Sequence, residues 1–361
     1  MDRFIKLPMR LHADDPHYVP PLVLERREAF SPRKNPFFHH AEVQFWLACR
    51  DGRDVGRISA QIDRLARNPA DGHFGLIAAE DDSSVFAALL SAAEQWLRQR
   101  GRRRVLGPFN LSINEETGLL IDGFGSPPML LMGHDKAYVG PRVEAQGYAK
   151  AKDVIAYLYD MDHDLPLSAR TLIDRPRPPE LTVRHLDLRR YNEEIVAITS
   201  VFNDAWAGNW GFVPLTDAEV SHMAKSMKPL LDPELVAIVE MRGEPVGFGI
   251  TLPNLNEAIA DLNGRLLPFN WIKLLWRLKV RGTRTARVPL MGVKRSLAGG
   301  LVGSLAPFLI IDAMRKTAKK RGIRQVELSW ILEDNLPMRR INESLGGLPY
   351  KTYRVYEKTL A

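Results

Sequence analysis

The feature that most limits what this chain can become is an internal repetition. Residues 43–60 and 235–250 share one plan: an apolar strand, a polar turn holding a glycine, and a second strand opening Val-Gly, at Val55-Gly56 and again at Val246-Gly247. Downstream of each copy an apolar-periodic helix leads through a glycine turn into another strand, over 85–108 and over 305–330. Each half then closes with a glycine and a tyrosine-rich strand, Tyr148 to Tyr159 and Tyr350 to Tyr356. Period-2 runs flanking period-3.6 runs, occurring twice, predict two mixed α/β units.

A length of 361 residues suits two domains of ordinary size. The proline run Arg175-Pro-Arg-Pro-Pro179 cannot hold regular structure, so we expect a first domain over 1–161, a linker over 162–180 and a second domain over 181–361. A single cysteine, Cys49, excludes an internal disulfide framework. The nine histidines show no HExxH or other paired ligand spacing, so no metal site is expected. A formal charge of +7 favours anionic partners such as CoA, tRNA or phospholipid headgroups. The first residues lack a secretory apolar stretch and no run is long enough to span a bilayer, so the expected location is the cytoplasm.

The order of elements resembles the GNAT superfamily, whose sheet splays open to admit the pantetheine of acyl-CoA between two strands. The resemblance implies an acyl-CoA co-substrate and no metal. Ala286 to Val293 matches the splayed strand, with Met291, Gly292 and Val293 against the donor. Leu297 to Gly303 matches the pyrophosphate loop, where glycines let backbone N–H groups approach the diphosphate and the following helix adds its partial positive charge. Gly299, Gly300 and Gly303 are the candidate contacts, with Lys294 and Arg295 beside them. Leu297 and Val302 occupy loop positions where the superfamily's motif carries other residues. Asn335, at the end of the strand Glu327 to Leu332, matches an asparagine that contacts the cofactor arm. Seven residues on, where relatives carry a tyrosine acid, stands Asn342. Longer patterns, including Gly107-Pro-Phe-Asn110, Asn203 to Pro214 and Ser329 to Asn335, resemble a GNAT-like family that includes bacterial ceramide synthases. They imply transfer of a fatty acyl group to a sphingoid-base amine.

Acyl transfer to an amine needs the amine deprotonated, the carbonyl polarised and the thiolate protonated. A backbone N–H between Met291 and Val293 could polarise the carbonyl. Glu327, Glu333 and Asp334 are the candidate bases, and Tyr353 is a candidate acid among the closing tyrosines. Glu327 reads either as a cleft residue or as a strand glutamate facing solvent. Asn203, Trp206, Asn209 and Trp210 lie where the superfamily forms its acceptor site, and read equally as a hydrophobic plug. In the first half Glu80-Asp81-Asp82 stands where a phosphate loop would be, so that half is expected to bind no diphosphate.

Residues 270–281 read as a helix with Lys273, Arg277 and Arg281 on one face and Trp271, Leu274, Leu275 and Leu278 on the other. Trp271, Leu275 and Trp276 would meet an anionic bilayer on the inner face of the membrane, if the helix is not instead buried against a sheet. A small-amine acetyltransferase, an aminoacyl-tRNA-dependent transferase and a non-enzymatic binding module are the rival readings. Nucleic acid is the weakest partner because basic residues form no aromatic-interleaved stripe. Oligomeric state is left open.

Overall fold

The structure, a computed structural model, describes residues 1–360. In chain order its elements are α1 (Asp2–Leu11), α2 (Val23–Ala29), β1 (Ala41–Arg50), β2 (Arg53–Asp63), β3 (Asp71–Ala79), α3 (Ser83–Arg98), β4 (Arg104–Gly107), β5 (Leu119–Asp122), α4 (Val139–Glu144) and β6 (Ala149–Asp160). There follow α5 (Leu167–Ile173), β7 (Leu181–His185), α6 (Tyr191–Trp206), α7 (Asp217–Met227), β8 (Val236–Met241), β9 (Glu244–Pro253), α8 (Leu255–Ile259) and α9 (Asn270–Trp276). The chain ends with β10 (Thr285–Val293), α10 (Leu301–Lys320), β11 (Gln325–Leu332), α11 (Leu336–Ser344) and β12 (Leu348–Thr359).

The two expected α/β units form, but not as two contiguous halves. One comprises Met1–Ile155, Ile259–Leu274 and Tyr350–Ala361, the other Ala156–Ala258 and Leu275–Pro349. The closing strand therefore belongs to the first unit, because β12 pairs antiparallel with β4 and β5 there. The expected linker is not wholly irregular either: α5 forms within it and buries Ala169.

Each unit realises the same sheet. In the first, β1, β2 and β3 pair antiparallel in sequence and β3 pairs parallel with β4. In the second, β7 to β10 pair antiparallel in sequence and β10 pairs parallel with β11. The parallel pairs need crossover connections, supplied by α3 and α10. The repeated hairpins close on the same turn: Asp51-Gly52 has φ of 50° and 76°, and Arg242-Gly243 has 54° and 82°. Two successive left-handed residues are what a two-residue type I′ turn demands, and glycine supplies the second without strain.

The Val-Gly echo has a packing reason. A Cβ on Gly56 would fall 2.7 Å from a Leu89 methyl on α3; in the second copy a Cβ on Gly247 would fall 3.3 Å, and one on Gly249 2.4 Å, from methyls of Ile310 on α10. Glycine lets the crossover helix press onto its sheet. Phe86, Leu89, Leu90 and Leu97 thus bury completely over Ile58 and Phe74 in the first unit. In the second, Val201 and Phe202 of α6 bury over Ile238 and Phe248. Among the described residues no helix is long and apolar enough to cross a membrane.

Candidate active site

The site is built in the second unit where β10 and β11 part. Their parallel register runs from Thr285 opposite Gln325 to Val288 opposite Leu328. Beyond that point β10 follows β9 alone, after a register shift between Arg287 and Leu290, with Met291, Gly292 and Val293 opposite Gly249, Phe248 and Gly247. Pro289 lies in that interval, and a residue with no N–H cannot sustain a ladder on both sides. The edge of β10 that faces the gap carries Met291 to Val293, the residues expected against the donor.

From the end of this edge the chain passes through a 3-10 turn over Arg295–Leu297 into α10. Gly299 takes a φ of +77°, and Gly300 is the helix N-cap with no side chain bonded to the first-turn N–H groups. The helix begins at Leu301, so Gly303 lies inside its first turn and not in the preceding loop as expected. A Cβ on Gly303 would sit 2.1 Å from the Leu297 carbonyl oxygen, so only glycine lets the loop fold this tightly over the helix start. The result is a run of donor groups at the positive end of a 20-residue helix, a ready anion site. Lys294 donates its backbone N–H to Val246 O at 2.8 Å. Arg295 is tied to α6, its backbone N–H donating to Asp204 Oδ2 at 2.7 Å. Both side chains stay partly or fully solvated beside the helix start.

The acceptor candidates divide. Trp206 packs at the parted edge: its indole N–H reaches Met291 O at 3.4 Å, and its ring meets Trp330 of β11 edge-on with centroids 6.0 Å apart. Gly292 makes room for this helix, since a Cβ there would lie 2.9 Å from that of Ala205. Asn203 Oδ1 is buried without a hydrogen-bond partner. Asn209 and Trp210 lie in the turn after α6, where the Asn209 N–H donates to Trp206 O at 2.8 Å and neither side chain is buried.

Glu327 does not face solvent; it is fully buried. Arg287, directly opposite on β10, approaches its carboxylate to 3.5 Å and donates through Nε to Ser329 Oγ at 2.8 Å, while that hydroxyl donates to Glu327 Oε1. Sequence reasoning assigned Arg287, Ser329 and Trp330 no role. A lone arginine within the apolar run 286–293, in register with the one acidic residue of β11, was the available signal.

On α11, Asn335 is the N-cap, its Oδ1 accepting from Met338 N–H at 3.2 Å, which leaves its amide nitrogen for a ligand. Asn342 is the single buried residue of α11, and both polar atoms of its side chain lack partners. Glu333 is half-buried and Asp334 exposed at the strand end. Tyr353 lies in the first unit, fully buried on β12 opposite Leu120. It is a core residue of that unit. The basic segment also differs from expectation: α9 stops at Trp276 and a wider π-type turn covers Arg277–Arg281. Arg277 turns inward to donate to Ala258 O at 2.6 Å, and the rings that stand in solvent are Trp271 and Trp276, with Ile272 and Leu275.

No family model matches the chain. It is 55% identical over its whole length to the bacterial ceramide synthase of Caulobacter vibrioides, covering 95% of that protein. It is 45% identical to protein YghO of Escherichia coli, over 99% of this chain and 92% of that one. Among solved structures, a tandem GNAT protein from the clavulanic acid biosynthesis pathway superposes with a TM-score of 0.59 at 14% identity, covering 99% of this chain and 94% of that one, which fixes the fold as tandem GNAT. With sequence likeness of this degree over full length, the chain belongs to the family of the bacterial ceramide synthase.

Proposed function

We propose that this N-acyltransferase moves a long-chain acyl group from acyl-CoA to the amine of a sphingoid base. The observation that carries the reading is the parting of β10 from β11 after Val288, which ends on the uncapped, glycine-built start of α10. The diphosphate would rest on the N–H groups of Leu301 to Gly303, with Lys294 and Arg295 alongside, and the pantetheine along Met291 to Val293. Asn335 would meet the arm through its amide nitrogen. A backbone N–H of the parted edge would polarise the thioester carbonyl. Trp206 and Trp330 would flank an apolar acceptor, with Asn203, Asn209 and Trp210 at its outer side.

The amine nitrogen attacks the carbonyl carbon, the C–N bond forms as the C–S bond breaks, and the proton shed by the amine ends on the CoA sulfur. Glu327 can reach that proton through Ser329, whose hydroxyl hands its own proton to the carboxylate as it takes one from the amine. Glu333 is the alternative base. Asn342 can donate a hydrogen bond to the departing thiolate but cannot protonate it. The exposed Trp271, Leu275 and Trp276 beside Lys273 would hold the chain on an anionic bilayer, from which a long-chain amine could reach the site.

Thiol release from palmitoyl-CoA and acetyl-CoA, each with and without sphinganine, tests this. Release that requires both palmitoyl-CoA and sphinganine is expected. Release from acetyl-CoA with small amines alone would replace the reading with small-amine acetylation, and silence with both donors would point to an aminoacyl-tRNA donor or a binding module.

A further inference from the structure

The first unit gathers three metal-ligating side chains that sequence spacing did not reveal. His12 caps the C-terminus of α1, a turn in which the Asp15 N–H donates to His12 O at 3.0 Å folds Asp15 back over it, and His134 arrives from the segment between β5 and α4. His12 and His134 are 6% and 8% exposed. One ligand atom from each of the three residues lies within 4.8 Å of the others. Asp15 Oδ2 is 3.0 Å from His134 Nε2 and 3.6 Å from His12 Nδ1. Donor atoms around a tetrahedral zinc ion stand about 3.4 Å from one another, so these separations bracket the required value. His12 Nδ1 is buried without a hydrogen-bond partner. A buried imidazole nitrogen left in this state costs stability unless something occupies it.

We propose that His12, Asp15 and His134 bind one divalent first-row transition ion of the zinc class, with solvent reaching the fourth position past the partly exposed Asp15. Two imidazoles and one carboxylate are the ligand types such ions prefer over magnesium or calcium. The nearby cations are otherwise engaged: Lys136 Nζ donates to Asp14 Oδ1 at 2.6 Å and Lys351 Nζ to Ser126 O at 2.7 Å. His134 Nδ1 has no acceptor behind it, and a missing outer hydrogen bond of this kind costs about 10- to 100-fold in affinity. The ion would fasten the end of α1 to the segment before α4, a structural role with no part in acyl transfer.

The test uses the full chain stripped with a chelator and titrated with Co²⁺ and then Zn²⁺. The expected result is one equivalent of Co²⁺ giving the visible absorption of a four-coordinate ion, displaced by Zn²⁺, with Zn²⁺ raising Tm. His134→Gln and Asp15→Asn should each weaken binding by more than about 100-fold, while His163→Gln, at an exposed histidine, leaves it unchanged. Should a variant fold poorly, X-ray absorption at the zinc edge of the unmutated chain decides, with scattering from two imidazoles expected. Absence of stoichiometric binding, binding indifferent to His134→Gln, or an all-oxygen shell would overturn the proposal.

Discussion

The two units share one strand order and diverge at the two places where a GNAT sheet meets its donor. In the second, β10 leaves β11 beyond Val288, and α10 starts on Gly300 with no side chain bonded to its first N–H groups. In the first, the corresponding strands also part, after His73 opposite Leu106, but the chain itself fills the gap. The Phe109 N–H donates to Phe74 O at 2.9 Å, and Asn110 Oδ1 accepts from Leu76 N–H at 2.7 Å. A Cβ on Gly75 would lie 1.8 Å from Phe109 O, so the plug is seated as closely as backbone allows. The helix start is filled too: Asp82 caps α3, accepting from Ser84 N–H at 2.8 Å, and pairs with Arg50 at 2.7 Å. A helix N-terminus attracts negative charge from whichever source is nearer, a neighbouring carboxylate or a ligand. One fold thus either satisfies these groups with its own side chains or leaves them without a side-chain partner.

Breaking the open unit should give the largest effects. Gly303→Val drives a side chain into the Leu297 carbonyl and should weaken CoA binding by about 100-fold or more by displacing the loop from the helix start, seen as loss of binding heat. Importing the closed unit's device is more diagnostic. Gly300→Asp should stabilise α10 by about 0.5 kcal/mol as a cap, raising Tm slightly, while its carboxylate repels the diphosphate and raises the CoA Kd by at least ~10-fold, a shift of about 1.4 kcal/mol. Opposite signs in the two readouts separate charge from misfolding.

Disturbing the closed unit should cost stability and spare turnover. Asn110→Ala leaves the Leu76 N–H without its acceptor, a loss of about 1–3 kcal/mol in chemical denaturation with unchanged kcat. The smallest effect belongs to Asp82→Asn. Its hydrogen bonds from Ser84 and Arg50 hold the Asp82 carboxyl well below the ordinary carboxylate range. That carboxylate therefore contributes stability above its unfolded-state pKa, and the contribution disappears as pH falls through the lowered folded value. Asp82→Asn should lower Tm modestly at neutral pH and not at all in strong acid, with the same acyl-transfer rate.

Much of this was legible before any coordinates. The repeated hairpin, Gly299 and Gly300 before α10 and the acidic triplet at Glu80-Asp81-Asp82 each carry local chemistry that spacing alone exposes, whereas Gly303 falls inside the helix. What sequence hid was non-local. Nothing in residues 350–356, Tyr353 included, announces that β12 inserts beside β4 and β5. Arg287 and Glu327 sit 40 positions apart and meet only because β10 and β11 register in parallel. Gly107-Pro-Phe-Asn110 looked like a family signature, and only its seating against Gly75 and Leu76 makes it a plug. His12 and Asp15 stand three residues apart, but His134 lies 119 residues beyond Asp15.

Calorimetric titration of the full chain with CoA puts the contrast between the units to its most direct test. One site per chain is expected, lost in Gly300→Asp and retained in Asp82→Asn and Asn110→Ala. Two equivalent sites, or a single site that survives Gly300→Asp and disappears when the first unit is altered, would contradict it.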